Sequence, residues 1–96
     1  MNQFFEELGQ QWVDAAQERG AKISKPELES RIALELLELA RVAAHTQERR
    51  FAPLTCYLAG VAAERLRVAT QLDEDGVAAF ILEVRRKLEA ENPRPT

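Results

Sequence analysis

The sequence has little cysteine, histidine or glycine, and each shortage excludes a class of protein. The single cysteine, Cys56, cannot form an internal disulfide, so the chain is not a disulfide-stapled secreted scaffold and suits a reducing compartment. One cysteine and one histidine, His45, are too few ligands for a zinc site. Glycine-rich phosphate loops, nucleophile elbows and CxxC pairs do not occur. The sequence therefore predicts no metal site, no cofactor and no enzymatic activity.

The chain also lacks a basic surplus and a long apolar run. Its net charge is −3, whereas binding to nucleic acid or to an anionic membrane usually needs excess positive charge. The longest uncharged run, residues 51–63, is shorter than the ~20 residues that span a bilayer. Glu6 and Glu7 stand where a signal peptide would be basic and then apolar. We therefore expect a cytoplasmic protein that binds neither nucleic acid nor membrane.

What the sequence does contain is apolar residues repeating every three or four positions, which is the spacing of one helix face. Four stretches show this repeat, at about 2–19, 25–45, 53–69 and 74–91. Such helices bury their apolar faces by packing against one another. The prediction is an all-α fold: a compact bundle of about four helices with short connections, forming one domain over 1–92. Asn92, Pro93 and Pro95 end the fourth helix and leave 93–96 as a frayed tail.

Several residues predict where the helices start and stop. Gly20 follows the first helix, where a left-handed cap is favoured. Ser24 and Glu27 form a capping-box pattern that predicts the start of the second helix. Pro53 is typical of a first helical turn, and Asp73 is a good N-cap for the fourth helix.

The apolar residues also predict which surfaces are buried. Trp12 and the phenylalanines lie on apolar stripes and are expected in the core. The second helix has a wide apolar face and is predicted to be the centre of the core. Its polar residues form a narrow strip: Arg31, Glu35, Glu38, Arg41 and His45. The small residues at 59–63 predict that the third helix packs closely against the second.

The turn between the second and third helices contains the candidate binding residues. Arg49 and Arg50 precede a helix N-terminus, where unpaired amides favour anions, and Thr55 can donate from the first turn. With His45, these residues predict an anion-binding or partner-binding patch. The alternative is a solvated charged turn in which His45 favourably faces a helix C-terminus. Cys56, near the same N-terminus, is either a reactive thiol or a small core residue.

Residues 36–60 resemble a family of small bacterial helical domains of unknown function. Its pattern is a leucine-rich helix ending in Ala-His, then Glu-Arg-Pro, Ala-Pro-Leu-Thr and an aromatic-Leu-x-Gly. The matching positions are Ala44, His45, Glu48, Arg49, Ala52, Pro53, Leu54, Thr55, Leu58 and Gly60. One departure is that Arg50 and Phe51 stand where the family has proline directly after the arginine.

The resemblance implies an accessory role, because members of that family occur alone or fused to nucleotidyltransferases that attach guanylate to the molybdenum cofactor. We therefore expect a non-enzymatic domain that binds a protein partner, such as a nucleotidyltransferase or another cofactor-maturation enzyme. The alternative is a regulatory module that binds a small ligand or anion at the 45–55 turn. The composition is also compatible with a homodimer that buries leftover apolar surface.

Overall fold

The computed structural model describes residues 2–91 and shows an all-α fold. The four helices are α1 (Gln3–Glu18), α2 (Ser30–Thr46), α3 (Phe51–Thr70) and α4 (Glu74–Glu91). No strand occurs within this range. The chain divides into two compact units, residues 1–30 and 31–96. The prediction of one domain over 1–92 stays a prediction, and the predicted helix stop and tail at 92–96 lie outside the described residues.

The first unit consists of α1 and the segment that follows it. Asn2 caps α1 by accepting a hydrogen bond from the Phe5 amide. As predicted, Gly20 ends the helix with a positive φ of 80°. The Gly20 and Ala21 amides donate back to the carbonyls of Gln17 and Ala16, both at 2.9 Å. These two bonds form a Schellman motif, which pairs carbonyls that the helix end would otherwise leave free.

The segment at 21–29 is irregular, although the capping-box pattern predicted helix from residue 25. That prediction is wrong: α2 begins at Ser30, six residues after Ser24. The segment instead associates with α1. Lys25 Nζ lies 2.8 Å from Glu6 Oε2, and the Pro26 carbonyl oxygen lies 2.6 Å from the position that a Cβ on Gly9 would take. These contacts fix the non-helical segment against α1.

A side chain of α4 contributes a cap to the start of α2. The Arg31 amide donates to Glu74 Oε2 at 2.8 Å. The start of α4 follows the prediction, because the Asp73 carboxylate accepts from the Gly76 amide at 2.9 Å.

The second unit is a small bundle in which α2, α3 and α4 share one core. Its centre contains one residue of α2, one of α3 and two of α4: Leu39, Ala63, Val77 and Ile81. Burying a leucine, isoleucine or valine side chain at such a site contributes roughly 1.5–3 kcal/mol, and the smaller Ala63 contributes less. The core is partly enclosed by a ring of half-buried apolar residues: Ile32, Leu36, Ala59, Leu72 and Leu88.

Two expectations about buried faces are wrong. Trp12 and Phe4 are 58% and 63% exposed, and the buried residue of α1 is Gly9. On α2, Leu34 and Leu37 are exposed, so the wide apolar face is only partly used. Glu35, from the expected polar strip, is instead half-buried.

The small residues of α3 are used differently from the prediction. Near its start, α3 does approach α2, since Cys56 Sγ lies 3.6 Å from the Leu36 carbonyl oxygen. Further along, Ala63 is buried, but Ala62 and Gly60 are exposed, and a Cβ added at Gly60 would meet nothing within 4 Å. The small residues of α3 therefore allow close packing at some positions and leave open space at others.

Candidate functional site

An open apolar groove lies between α3 and α4 and has a volume of about 430 Å³. The α3/α4 groove, as we call it, exists because Ala59 and Ala62 are too short to fill the space between the two helices. Its floor includes the core residues Leu39 and Ile81. Its walls are formed by larger apolar side chains: Leu58, Phe80, Val84 and Leu88. The groove therefore gives direct access to the edge of the core.

Two large apolar residues of the groove wall are exposed. Leu58 is 67% exposed and Val84 is 49% exposed. Single exposed apolar residues are common on proteins, whereas large contiguous apolar patches are found at protein, membrane and ligand interaction sites.

The polar residues of the groove are few and lie around its apolar lining. They are Thr55 on α3 and Lys87 and Glu91 on α4. Within residues 2–91, neither Lys87 nor Glu91 forms an ion pair or a side-chain hydrogen bond. Both charges are therefore available to a molecule that occupies the groove.

The predicted patch at the 45–55 turn is only partly assembled. His45 is exposed near the end of α2, and Arg49 and Arg50 are exposed in the turn. The Arg50 guanidinium is 3.1 Å from the Glu48 carboxylate and lies over the Phe51 ring. Its positive charge is thus partly neutralised by a neighbour.

The amides at the start of α3 are also occupied. The Phe51 amide donates to the Glu48 carbonyl at 2.9 Å, and the Ala52 amide donates to the Arg49 carbonyl at 3.1 Å. Pro53 has no N–H at all. The first three residues of α3 therefore offer no free amide donor to an anion. Anion binding at this turn stays a prediction, now dependent on side chains alone.

Thr55 belongs to a different surface, since it lines the α3/α4 groove. Arg50 and Phe51, which interrupt the family resemblance, stand at the boundary of α3. Arg50 is the residue before the helix, and Phe51 is its first residue. The two residues therefore alter the entry into α3 rather than the groove.

The structure favours the interpretation of Cys56 as a small core residue over its interpretation as a reactive thiol. Its side chain is half-buried, and its thiol lies within weak hydrogen-bonding distance of the Leu36 carbonyl. Burial raises the pKa of the Cys56 thiol. A raised pKa lowers the thiolate fraction at neutral pH, and the thiolate is the reactive form.

The described residues contain no cluster of three or more side chains suited to holding a metal ion. Over the same residues, each helix is too short or too polar to pass through a bilayer.

The groove was missed from the sequence, although one signal was present. Residues 54–62 combine large apolar residues with alanine and glycine, and the alanines could be read either as a close helix contact or as a gap. Only the positions of Phe80 and Val84 on α4 show that a gap is left.

Comparison with the curated proteins gave no match, and comparison with the solved structures gave none either. The sequence model of DUF6457, a domain of unknown function, matches residues 6–95. This match covers most of α1 and all of α2, α3 and α4, and it confirms the expected resemblance to a family of unknown function. The chain belongs to the DUF6457 family.

Proposed function

We propose that this chain is a non-enzymatic interaction module that holds an amphipathic helix of a protein partner in the α3/α4 groove. The observation that carries the proposal is the open apolar groove itself, whose walls include the exposed side chains Leu58 and Val84. A groove between two helices is a common receptor for the apolar face of a third helix.

The size and lining of the groove fit this role. Its volume of about 430 Å³ is large enough for several apolar anchor side chains. A partner helix would present them at positions i, i+3 or i+4, and i+7. The small side chains of Ala59 and Ala62 let the backbone of such a helix come close to α3.

The charges of the groove define the partner further. Lys87 and Glu91 lie one helical turn apart on α4. A matching helix would carry an acidic residue beside Lys87 and a basic residue beside Glu91. The net charge of −3 favours such a protein partner over nucleic acid or an anionic membrane.

The family resemblance suggests which protein to test first. The motif at 36–60 is similar to domains found beside nucleotidyltransferases that attach guanylate to the molybdenum cofactor. We therefore propose such an enzyme, acting in the cytoplasm, as the partner. The lone, half-buried cysteine is compatible with that reducing compartment.

The test is an NMR titration of the isotope-labelled chain with a purified molybdenum cofactor guanylyltransferase. We expect amide shifts at 55–62 and 80–91. Ala62→Trp places an indole in the groove and should weaken binding at least tenfold. Ala79→Trp is the matched control, because Ala79 is an exposed residue of α4 that does not line the groove, and it should bind like the wild type.

Three outcomes would count against the proposal. Absence of any shift would remove the guanylyltransferase as the partner. Shifts confined to unit 1 would remove the groove as the site. Shifts confined to residues 45–55, reproduced by inorganic phosphate alone, would favour the anion-binding alternative.

A further inference from the structure

The outward face of α3 carries an apolar stripe that the described structure leaves uncovered. Leu54, Tyr57, Leu58 and Val68 are 62%, 71%, 67% and 76% exposed, and Val61 between them is half-buried. We name these five residues the outer stripe. Leu54, Val61 and Val68 are seven residues apart, which is the spacing of a seam between two long helices.

We propose that a second copy of this chain covers the outer stripe, with the two α3 helices antiparallel and Val61 on the two-fold axis. This inference is independent of the proposed function, because it concerns the outward face of α3. Only Leu58 belongs to both surfaces.

The order of residues in the stripe suits a two-fold contact. In a symmetric dimer, if residue i contacts residue j of the partner, then residue j contacts residue i. Leu54 and Val68 are each seven positions from Val61. An antiparallel pair centred on Val61 therefore places Leu54 against the partner's Val68 twice, and Val61 against itself.

The charges beside the outer stripe lie in the second half of α3. Residues 51–63 carry no charge, whereas Glu64 and Arg65 flank the stripe in the second half of the helix. A parallel pair would set the charged half of one α3 helix against the charged half of the other. The antiparallel pair instead brings Tyr57 near the partner's Glu64.

On the other flank of the stripe, Leu58 approaches the partner's Arg65. The aliphatic part of an arginine side chain can cover a leucine while its guanidinium stays in water. Each charged residue near the stripe therefore meets a group that tolerates it.

The area of the stripe indicates the strength of the dimer. Side chains of these types expose on the order of 100 Å² each. Two copies would therefore remove at most roughly 1,000 Å² from water, because Val61 is half-buried, and this area is near the lower limit for a specific interface. We expect a weak dimer that dissociates reversibly on dilution.

The first test introduces charged residues on the outer stripe and measures the dimer Kd by sedimentation equilibrium. Leu54→Lys and Val68→Asp should each raise the dimer Kd at least tenfold, because each places a charge against an apolar side chain. The double variant should recover most of the affinity, since the new lysine then faces the partner's new aspartate. Leu37→Asp is the matched control on α2, where Leu37 is 69% exposed, and it should leave the Kd unchanged.

The second test uses cysteine cross-linking in a Cys56→Ser background. Val61→Cys should form a disulfide-linked dimer, because a residue on the two-fold axis faces itself within disulfide reach. Leu54→Cys and Val68→Cys should link to each other when mixed but not to themselves, since the two positions are about 21 Å apart along α3.

The proposal fails if the wild type is monomeric at several hundred micromolar. It also fails if Leu54→Cys and Val68→Cys each link to themselves, which would show a parallel pair. A wild-type dimer that Leu37→Asp disrupts, and that the α3 variants leave intact, would place the interface on α2 instead. Circular dichroism of each variant checks that its helices are retained.

Discussion

The Arg31 amide at the start of α2 donates a hydrogen bond to the side chain of Glu74 at the start of α4, with an N···O distance of 2.8 Å. This bond joins residues 43 positions apart in sequence. Next to it, the Arg31 guanidinium is 3.3 Å from the Asp75 carboxylate. The N-terminus of α2 is thus fixed by α4, and the two helices stabilise each other.

Glu74→Ala should destabilise the chain by about 1 kcal/mol, because loss of a helix cap leaves an amide without its acceptor. Urea unfolding followed by circular dichroism measures this change. Asp75→Ala is the control for charge in the same turn and should cost less, since the Asp75 ion pair is exposed. Ser24→Ala should have no measurable effect. A larger loss from Ser24→Ala than from Glu74→Ala would restore the capping box that the sequence predicted.

Gly9 and Gly60 are both helical, yet substitution by alanine should change stability in opposite directions. At Gly9 a Cβ would be 2.6 Å from the Pro26 carbonyl oxygen, so the backbone would have to move. At Gly60 a Cβ would meet nothing within 4 Å, and alanine is the better helix former.

We expect Gly9→Ala to lower the free energy of unfolding by roughly 1–3 kcal/mol, as overpacking does. We expect Gly60→Ala to raise it by about 0.5–1 kcal/mol. Thermal and urea unfolding of the two variants make the comparison. Stabilisation by both substitutions would show that the segment at 21–29 does not lie against α1 as described.

The fold class was predictable from the sequence because apolar periodicity is a local property of each helix. Gly20 and Asp73 were interpreted correctly for the same reason, since each cap involves only near neighbours in the chain. The start of α2 was not predictable, because it depends on Glu74 from a distant helix and on contacts of the segment around Pro26. The capping pattern at Ser24 is local and carries no information about these tertiary contacts, which determine where α2 begins.

The groove was less predictable than the fold. Whether Ala62 forms a close helix contact or the edge of a gap depends on what α4 places opposite it. The 45–55 turn was identified by charge and helix position, but two backbone bonds and Pro53 occupy the expected donor positions. The side-chain types at the turn suggested that it binds an anion. Which backbone amides are free to donate to an anion depends on the geometry of the turn, which the sequence did not reveal.

The ion pair between Glu6 and Lys25 should give Glu6 a distinctive titration. Hydrogen bonding to Lys25 and its positive charge lower the pKa of the Glu6 carboxyl. The interaction therefore stabilises the fold at neutral pH and is lost as the pH falls through this lowered pKa, because a protonated carboxyl no longer attracts the ammonium group. Lys25→Gln should raise the Glu6 pKa measured by carboxyl NMR.

Lys22→Gln is the control for this titration, because Lys22 is an exposed lysine of the same segment and is not the partner of Glu6. It should leave the Glu6 titration nearly unchanged. Equal effects of the two substitutions would mean that the overall positive charge of the segment, rather than the pair with Lys25, shifts the pKa of Glu6.

Glu35 of α2 and Arg85 of α4 form a partly buried ion pair. Replacing Arg85 should destabilise the chain more than replacing Glu35 does. Arg85 Nε lies 3.5 Å from Glu35 Oε1, and neither of these buried atoms makes a hydrogen bond within the described structure. Arg85 Nη1 also contacts Glu89 at 2.9 Å. Arg85 therefore keeps a partner when Glu35 is removed, but no second ion-pair partner of Glu35 is present among residues 2–91.

We expect Arg85→Met to cost about 1–3 kcal/mol, because it leaves a half-buried carboxylate without a counter-charge. Glu35→Leu should cost less, since Glu89 still neutralises Arg85. The double variant should be close to the wild type in stability, as apolar replacement of a buried pair often is. Urea unfolding of all four proteins completes a double-mutant cycle. If Glu35→Leu lowered the stability more than Arg85→Met, the contact between Arg85 and Glu89 would not compensate for the loss of Glu35, and the expectation would be wrong.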